Sequence, residues 1–491
     1  MRLILLSIFL LATVAGPSQA ADTKAPKKLS VVRVNVTNQP WDFLRPWGKR
    51  PPYARRAIGA LLPGGKVVVT AEMVANATFI EFESPEGGVK VPATLDVVDY
   101  ESNLALLKTD DPEFLKAYQP LELTPAQIGD SLAILQLEAT GTPLVTPGTL
   151  TSIEASRYPI SDSPLLVYRV TANLQFRDSS FTMPVVRDGK LVGILMRFDT
   201  NSKNTELVPT PVIEHFLKDA SDGKYDGFPR AGMGFASTRD PMFRRYLGLD
   251  AKFPGGVYVT QVLKDSPAAK AGLQEGDTIL HAAGEAVDQD GNYDDPDYGK
   301  LAISHHISTK HFVGETIGLT VVRKGEKREI NIVLDHRAPE DYVSDPFIID
   351  RAPKFYILGG FVMQELSRQY LKEFGTDWQK RAPDDLIYID RYQSDIFPDG
   401  GRKVVVLSRV LPSDATIGYE QLRGLVVTKL NGVELKGLGD LPGAIAKAEK
   451  GLHKFEFDGD PNAVWLDAAA AEALGPLLQQ SYRIPALQRL N

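Results

Sequence analysis

The sequence predicts a mainly β chain with some helix: a strand-rich block of barrel or sandwich type, then two copies of a small α+β unit. Three observations carry this. Short apolar runs recur between Gly, Pro and Asp turns over residues 28–218. Two later stretches, GGVYVTQVLKDSPAAKAGLQEGDTILHAAGEAV (255–287) and KVVVLSRVLPSDATIGYEQLRGLVVTKLNGVEL (403–435), share one plan of strand, Ser-containing helical turn, strand and two-residue turn. Gly/Pro linkers at 221–232 and 336–354 separate the blocks.

Arg2, the apolar run Leu3–Gly16 and the small-x-small site Ser18-Gln19-Ala20 predict a secretory signal peptide over 1–20, cut after Ala20. The first block (28–218) holds the strand runs SVVRVNV (30–36), KVVVT (66–70), ATFIEFE (77–83), SLAILQL (131–137), LLVYRVT (165–171) and KLVGILMRF (190–198). Thr210-Pro211 opens its exit helix, since proline suits the first helical turn. The two small units are expected at 230–340 and 355–460, each with a late edge strand, IGLTVVRKG (317–325) and HKFEFDG (453–459), and a tail at 461–491.

Composition narrows the function. The 491 residues contain no cysteine, which excludes disulfides, thiolate catalysis and Cys-ligated zinc. A net charge of −7 with no basic run argues against nucleic acid. No later segment predicts a transmembrane span, and an exported protein of the periplasm or beyond is expected. The acidic loop DQDGNYDDPDYG (288–299) and nearby His305, His306 and His311 match no metal template, so neither a metal nor a cofactor is expected.

The stretch SPAAKAGLQEGDTIL (266–280) resembles a PDZ domain in the arrangement of the HtrA/Deg serine endopeptidases. The resemblance extends over nearly all of the mature chain. AIGALLPGGKVVVTAEMVANAT (57–78) is similar to that family's histidine loop, DYESNLALLK (99–108) to its aspartate segment and VTPGTLTSIE (145–154) to its central barrel strand. PTPVIEHFLKDASDGKYDGFP (209–229) resembles its exit helix and linker. YILGGFVMQELSRQYLKEFG (356–375) and the rest of the chain after it resemble the long Deg proteases. The resemblance implies a trypsin-like double β-barrel followed by two PDZ-type domains.

The catalytic positions depart from the family. Its histidine falls on Glu72, its aspartate on Asn103 and its serine on Phe181, with Ser180 a fallback nucleophile one residue away. All seven histidines lie at 215 or later, with His215 on the exit helix, so the body of the block carries no imidazole to activate Ser179 or Ser180. A Ser–Lys dyad would need Lys190 or Lys108 buried with a lowered pKa. Oxyanion-loop glycines are replaced by Ser179, Thr182 and Met183.

PDZ grooves add an extended peptide as a strand and capture its carboxylate with backbone N–H groups. The resemblance assigns Gly232, Met233, Gly234 and Phe235 to this role, with Gly359, Gly360, Phe361 and Val362 as the second copy. The segment NQPWDFLRPWGKRPPY (38–53) corresponds to the family's trimer-forming segment, so Trp41, Phe43 and Trp47 are expected at an oligomer contact, in a trimer or larger assembly. The expected function is binding of peptides or unfolded proteins without hydrolysis, as scaffold, chaperone-like holder or regulator; the alternative is an active serine endopeptidase with an atypical site.

Overall fold

The computed structural model describes residues 30–138, 140–161, 163–175, 182–199, 202–249 and 253–491. Two six-stranded barrels come first. β1 (Val31–Asn38), β2 (Tyr53–Leu62), β3 (Lys66–Val69), β4 (Ala77–Glu83), β5 (Lys90–Asp99) and β6 (Leu104–Lys108) close in the order β1-β2-β3-β6-β5-β4. β7 (Ser131–Leu137), β8 (Pro143–Arg157), β9 (Pro164–Ala172), β10 (Met183–Arg187), β11 (Lys190–Asp199) and β12 (Asn204–Pro209) close as β10-β11-β12-β9-β8-β7. Closure leaves no free strand edges, so the apolar runs fill the interiors. Val32, Val34, Val67 and Phe82 are fully buried in the first barrel, and Leu166, Tyr168, Val185 and Ile194 in the second.

The exit helix Thr210–Asp219 leads to the third sheet. It comprises β13 (Met233–Ala236), β14 (Val257–Val262), β15 (Thr278–Ala282), β16 (Glu285–Ala286), β19 (Thr316–Arg323) and β20 (Glu326–Val333), with a separate hairpin of β17 (Asn292–Asp295) and β18 (Gly299–Ala302). β13 ends this sheet and pairs only with β14 among the described residues. The helix Ile303–Lys310 packs on it.

The last sheet runs β27-β26-β24-β23-β22-β21-β28, with β21 (Phe355–Leu358), β22 (Phe361–Glu365), β23 (Val405–Val410), β24 (Leu425–Leu430), β25 (Val433–Glu434) beside β24, β26 (Leu452–Asp458), β27 (Ala463–Asp467) and β28 (Gln488–Arg489). The stretch 461–491 is therefore built into this sheet: β27 pairs with β26, and β28 with β21. The repeat is visible in both hairpin turns. Ala283-Gly284 takes φ of 51° and 88°, and Asn431-Gly432 takes 51° and 77°. Two successive left-handed residues make the tight turn whose twist matches the flanking strands.

Two features set how the parts sit. One apolar core runs from the second barrel through Phe216 and Phe228 into Val257, Ile303 and Ile307, so the third sheet is docked on that barrel. The last part docks on the first barrel through the 41–47 turn. Among the described residues, no helix is long and apolar enough to cross a membrane.

Candidate functional site

The triad-equivalent segments meet between the barrels. Glu72 lies in the single helical turn Ala71–Val74 after β3. The N–H of Ala71 donates to the Asn103 carbonyl (3.0 Å), and the N–H of Glu72 to Asn103 Oδ1 (2.9 Å). Asn103 holds φ at 55°, a left-handed conformation that asparagine tolerates well. Two oxygens of residue 103, one from the backbone and one from the side chain, thus fasten the turn bearing residue 72. The other side-chain atom, Asn103 Nδ2, is buried without a partner among the described residues. Thr182, fully buried, pins the third segment: its hydroxyl lies 2.6 Å from that of Thr70, and its carbonyl accepts the Ile58 N–H. Phe181, Ser180 and Ser179 lie outside the described residues.

The dyad partners do not fit a base. Lys108 Nζ is 2.9 Å from Asp96 Oδ1 and Lys190 Nζ 2.9 Å from Glu122 Oε2, both half-exposed. Asp96 pushes the Lys108 pKa up, away from what a base needs.

His215 is buried in the junction between the second barrel and the third sheet. Its ring stacks between Phe228 (4.3 Å) and Phe312 (4.2 Å), with Nδ1 on the Thr309 carbonyl (3.0 Å). Sequence reasoning does not single out His336, because nothing local distinguishes it. It brings Nε2 to 3.9 Å from Glu101 Oε2, which also meets Arg230 Nη2 at 3.3 Å. Burial pushes the Glu101 carboxyl up despite Arg230. This cluster ties the loop of Asn103 to residues just before β13 and just after β20. The second linker crosses the same loops: Asp350 Oδ1 accepts the Asn76 N–H at 2.6 Å, and the Tyr100 hydroxyl donates to the same carboxylate.

His305 is 1% exposed, and neither ring nitrogen has a partner among the described residues. Burial, helped by the Lys310 ammonium, pulls its pKa down to about 4, while Asp295 opposes. A depressed histidine contributes stability that is complete above its unfolded value near 6.5 and lost as pH falls towards about 4. The melting temperature is expected to drop over that interval, and His305→Leu to flatten the drop; an unaltered slope in the variant would assign it to other groups. The acidic hairpin is held by itself. Burial would raise Asp288, but the Asn292 and Asp290 N–H groups and Lys300 outweigh it and hold Asp288 at about 2. No group of three metal-ligating side chains is assembled among the described residues.

The two glycine loops share one construction. The Gly232 carbonyl accepts from the Leu263 N–H (3.0 Å) and Ser266 Oγ (3.2 Å). In the second copy the Gly360 carbonyl accepts from the Leu411 N–H (2.7 Å), and Ser413 Oγ donates to the Gly359 carbonyl (3.1 Å). Gly232 takes φ of 77°, and a Cβ there would lie 2.3 Å from Ser266 Cβ; Gly234 takes no left-handed φ. The close approach is thus at Gly232. Met233 and Phe235 are half-buried beside the outer edge of β13.

The second copy differs where it matters. β21 pairs along β22, with Leu358 opposite Phe361 and Ile357 opposite Val362, while β23 takes the other side. Phe361 and Val362 are fully buried. The expectation that Gly359, Gly360, Phe361 and Val362 receive a peptide by strand addition is corrected: the edge is already hydrogen-bonded to the chain's own strand.

The aromatic segment is also corrected. Phe43 packs with Val343, Leu366 and Tyr370, and Trp47 with Phe355, Val362 and Leu478. Trp41 stands beneath the Arg489 guanidinium (4.6 Å). Gln364 Nε2 donates to the Phe43 carbonyl at 2.9 Å, and Arg489 Nη1 to that of Pro46 at 3.1 Å. These side chains are covered by the same chain's last sheet rather than presented to another copy.

Comparison with known proteins agrees with this architecture. Residues 229–334 and 346–488 each match a PDZ domain family. The chain is 28% identical over 465 residues to the chloroplastic Protease Do-like 2 of Arabidopsis thaliana, covering 93% of this chain and 74% of that protein. It is 24% identical over 460 residues to the mitochondrial Protease Do-like 4 of the same plant, covering 93% and 84%. A "probable periplasmic serine endoprotease DegP-like" protein of a Marinomonas strain is 24% identical over 276 residues, covering 50% and 54%. Among solved structures, the HtrA-type protease AlgW with decapeptide aligns at a TM-score of 0.48 and 19% identity, covering 64% of this chain and 97% of that one. With two barrels followed by two PDZ domains, and similarity to Do-like proteases along 93% of its length, the chain belongs to the HtrA/Deg family.

Proposed function

We propose that this protein is an exported, non-hydrolytic member of its family that binds the C-termini of peptides or unfolded proteins through its first PDZ domain. It serves as scaffold, chaperone-like holder or regulator of active relatives, as a homo-trimer or larger assembly. The observation carrying this is the pair at the barrel junction: Glu72 beside Asn103, with every histidine of the chain at 215 or later. A serine hydroxyl needs a base to take its proton, and the position that matches the family's histidine holds Glu72. The free edge of β13 supports the binding half, because an extended peptide can continue its hydrogen-bond ladder.

The test is titration of the intact protein with an apolar peptide in free-acid and amidated forms. Tight binding of the free acid alone is expected. Gly232→Val is expected to weaken it by at least about tenfold, since the variant must leave a φ that β-branched residues resist. Equal affinity of the acid and the amide would rule out carboxylate capture.

A further inference from the structure

We propose that the peptide site of the first PDZ domain is composite: the last sheet's domain supplies its far wall, and a bound peptide is read on both sides. This rests on the peptide-binding reading above and says which peptides the site takes.

The groove faces the last sheet's domain across a partly open cleft. A single cleft of about 920 Å³ is lined on one side by Met233, Ile303 and Ile307 and on the other by Phe397, Arg402 and Lys436. That volume lies at the upper end of the range for ligand sites. The walls are placed independently of each other. The first PDZ domain is fixed by the core it shares with the second barrel, and the second by Phe43 and Trp47 of the first barrel. Direct side-chain contacts between the walls include Gln261 Nε2 to Asp395 Oδ1 (2.7 Å) and Lys264 Nζ to Asp399 Oδ1 (3.1 Å). The second pair is largely solvent-exposed and worth little. The cleft is thus a gap between two anchored bodies, not a sealed interface.

Its chemistry favours an extended chain with an aromatic residue upstream of its carboxyl end. The β13 edge asks for a backbone partner, which only an extended segment provides along its length. The far wall carries a ring and a cation side by side. The Arg402 guanidinium sits 4.9 Å from the half-buried Phe397 ring, held by Glu434 Oε1 (3.1 Å) and the Leu435 carbonyl (3.0 Å). An aromatic side chain leaving the peptide strand away from β13 would meet this ring and cation, a pairing that gains from both stacking and charge.

The experiment uses the full-length protein and two free-acid peptides with the same apolar end. One has about eight residues, with phenylalanine near its start, and spans roughly 26 Å when extended; the other is truncated to the last few residues. Phe397→Ala is expected to weaken the long peptide about five- to tenfold and leave the short one unchanged. A photo-crosslinker in place of the phenylalanine is expected to label residues 393–403. Equal affinities of variant and wild type for the long peptide, with crosslinks confined to 231–310, would overturn the composite site while leaving the groove reading intact. Failure of wild type to bind either peptide would overturn both. Circular dichroism of the variant separates a lost contact from a lost fold.

Discussion

Neither Ser179 nor Ser180 is expected to react with a fluorophosphonate probe, and the purified protein is expected to leave an unfolded casein-type substrate uncut. The same holds for the variant carrying Glu72→His, Asn103→Asp and Phe181→Ser. The turn and loop would accept the first two changes, because the backbone and side-chain oxygens of Asn103 already accept hydrogen bonds from the segment bearing residue 72. The oxyanion side would not recover. Thr182 is packed inward against Thr70, and Met183 is fully buried as the first residue of β10. Loss of one oxyanion donor costs on the order of a hundred- to a thousandfold. The triple variant should therefore stay at least about a hundredfold below an active relative on the same substrate. Probe labelling of the wild type would sink the non-hydrolytic reading outright.

Replacing Phe43 or Trp47 by alanine is expected to destabilise the folded chain by about 3–5 kcal/mol each, the usual loss for truncating a buried aromatic. Phe43 is 5% exposed and Trp47 9%, and the Trp47 ring meets Phe355 edge-on at 6.3 Å. Differential scanning calorimetry should show the last domain releasing early, and limited proteolysis should open near 336–354. Sedimentation should show the oligomeric state of the folded fraction unaltered. A change in subunit number with no loss of stability would restore these residues to an interface between copies.

The contrast between these residues and the rest shows what local sequence can carry. Strands are legible because their burial repeats every second residue, as in His453, Phe455 and Phe457, which all face inward. The two-residue turns are legible from Gly284 and Gly432, because the second turn position needs a positive φ that glycine takes without strain. Resemblance singles out Glu72 and Asn103, and the N–H of the first donates to the side chain of the second. What the sequence hides is partnership over distance. Phe43, Trp47 and His336 look alike whether solvent, another copy or the same chain covers them. The pairing of β21 along β22 is hidden for the same reason: LGGF reads as a loop before an edge strand until the preceding four residues are seen to fold back. At Gly232 and Gly234 the motif marks both, and only the closeness of Ser266 separates them.

The clasp between Arg489 and the Pro46 carbonyl joins positions 443 residues apart, close to the full length of the chain. During synthesis from the amino end, the 41–47 turn emerges early, yet its covering surface is completed only by the last strand. Phe43 therefore waits for residues 343–426 and Trp47 for residues up to 484. Contacts of such separation close late and slowly, and exposed aromatics in the interval invite association with other chains. Synthesis of residues 478–489, rather than collapse of the barrels, is then the step that covers the turn. A nascent chain stalled before residue 484 would hold two well-formed barrels and an adhesive turn.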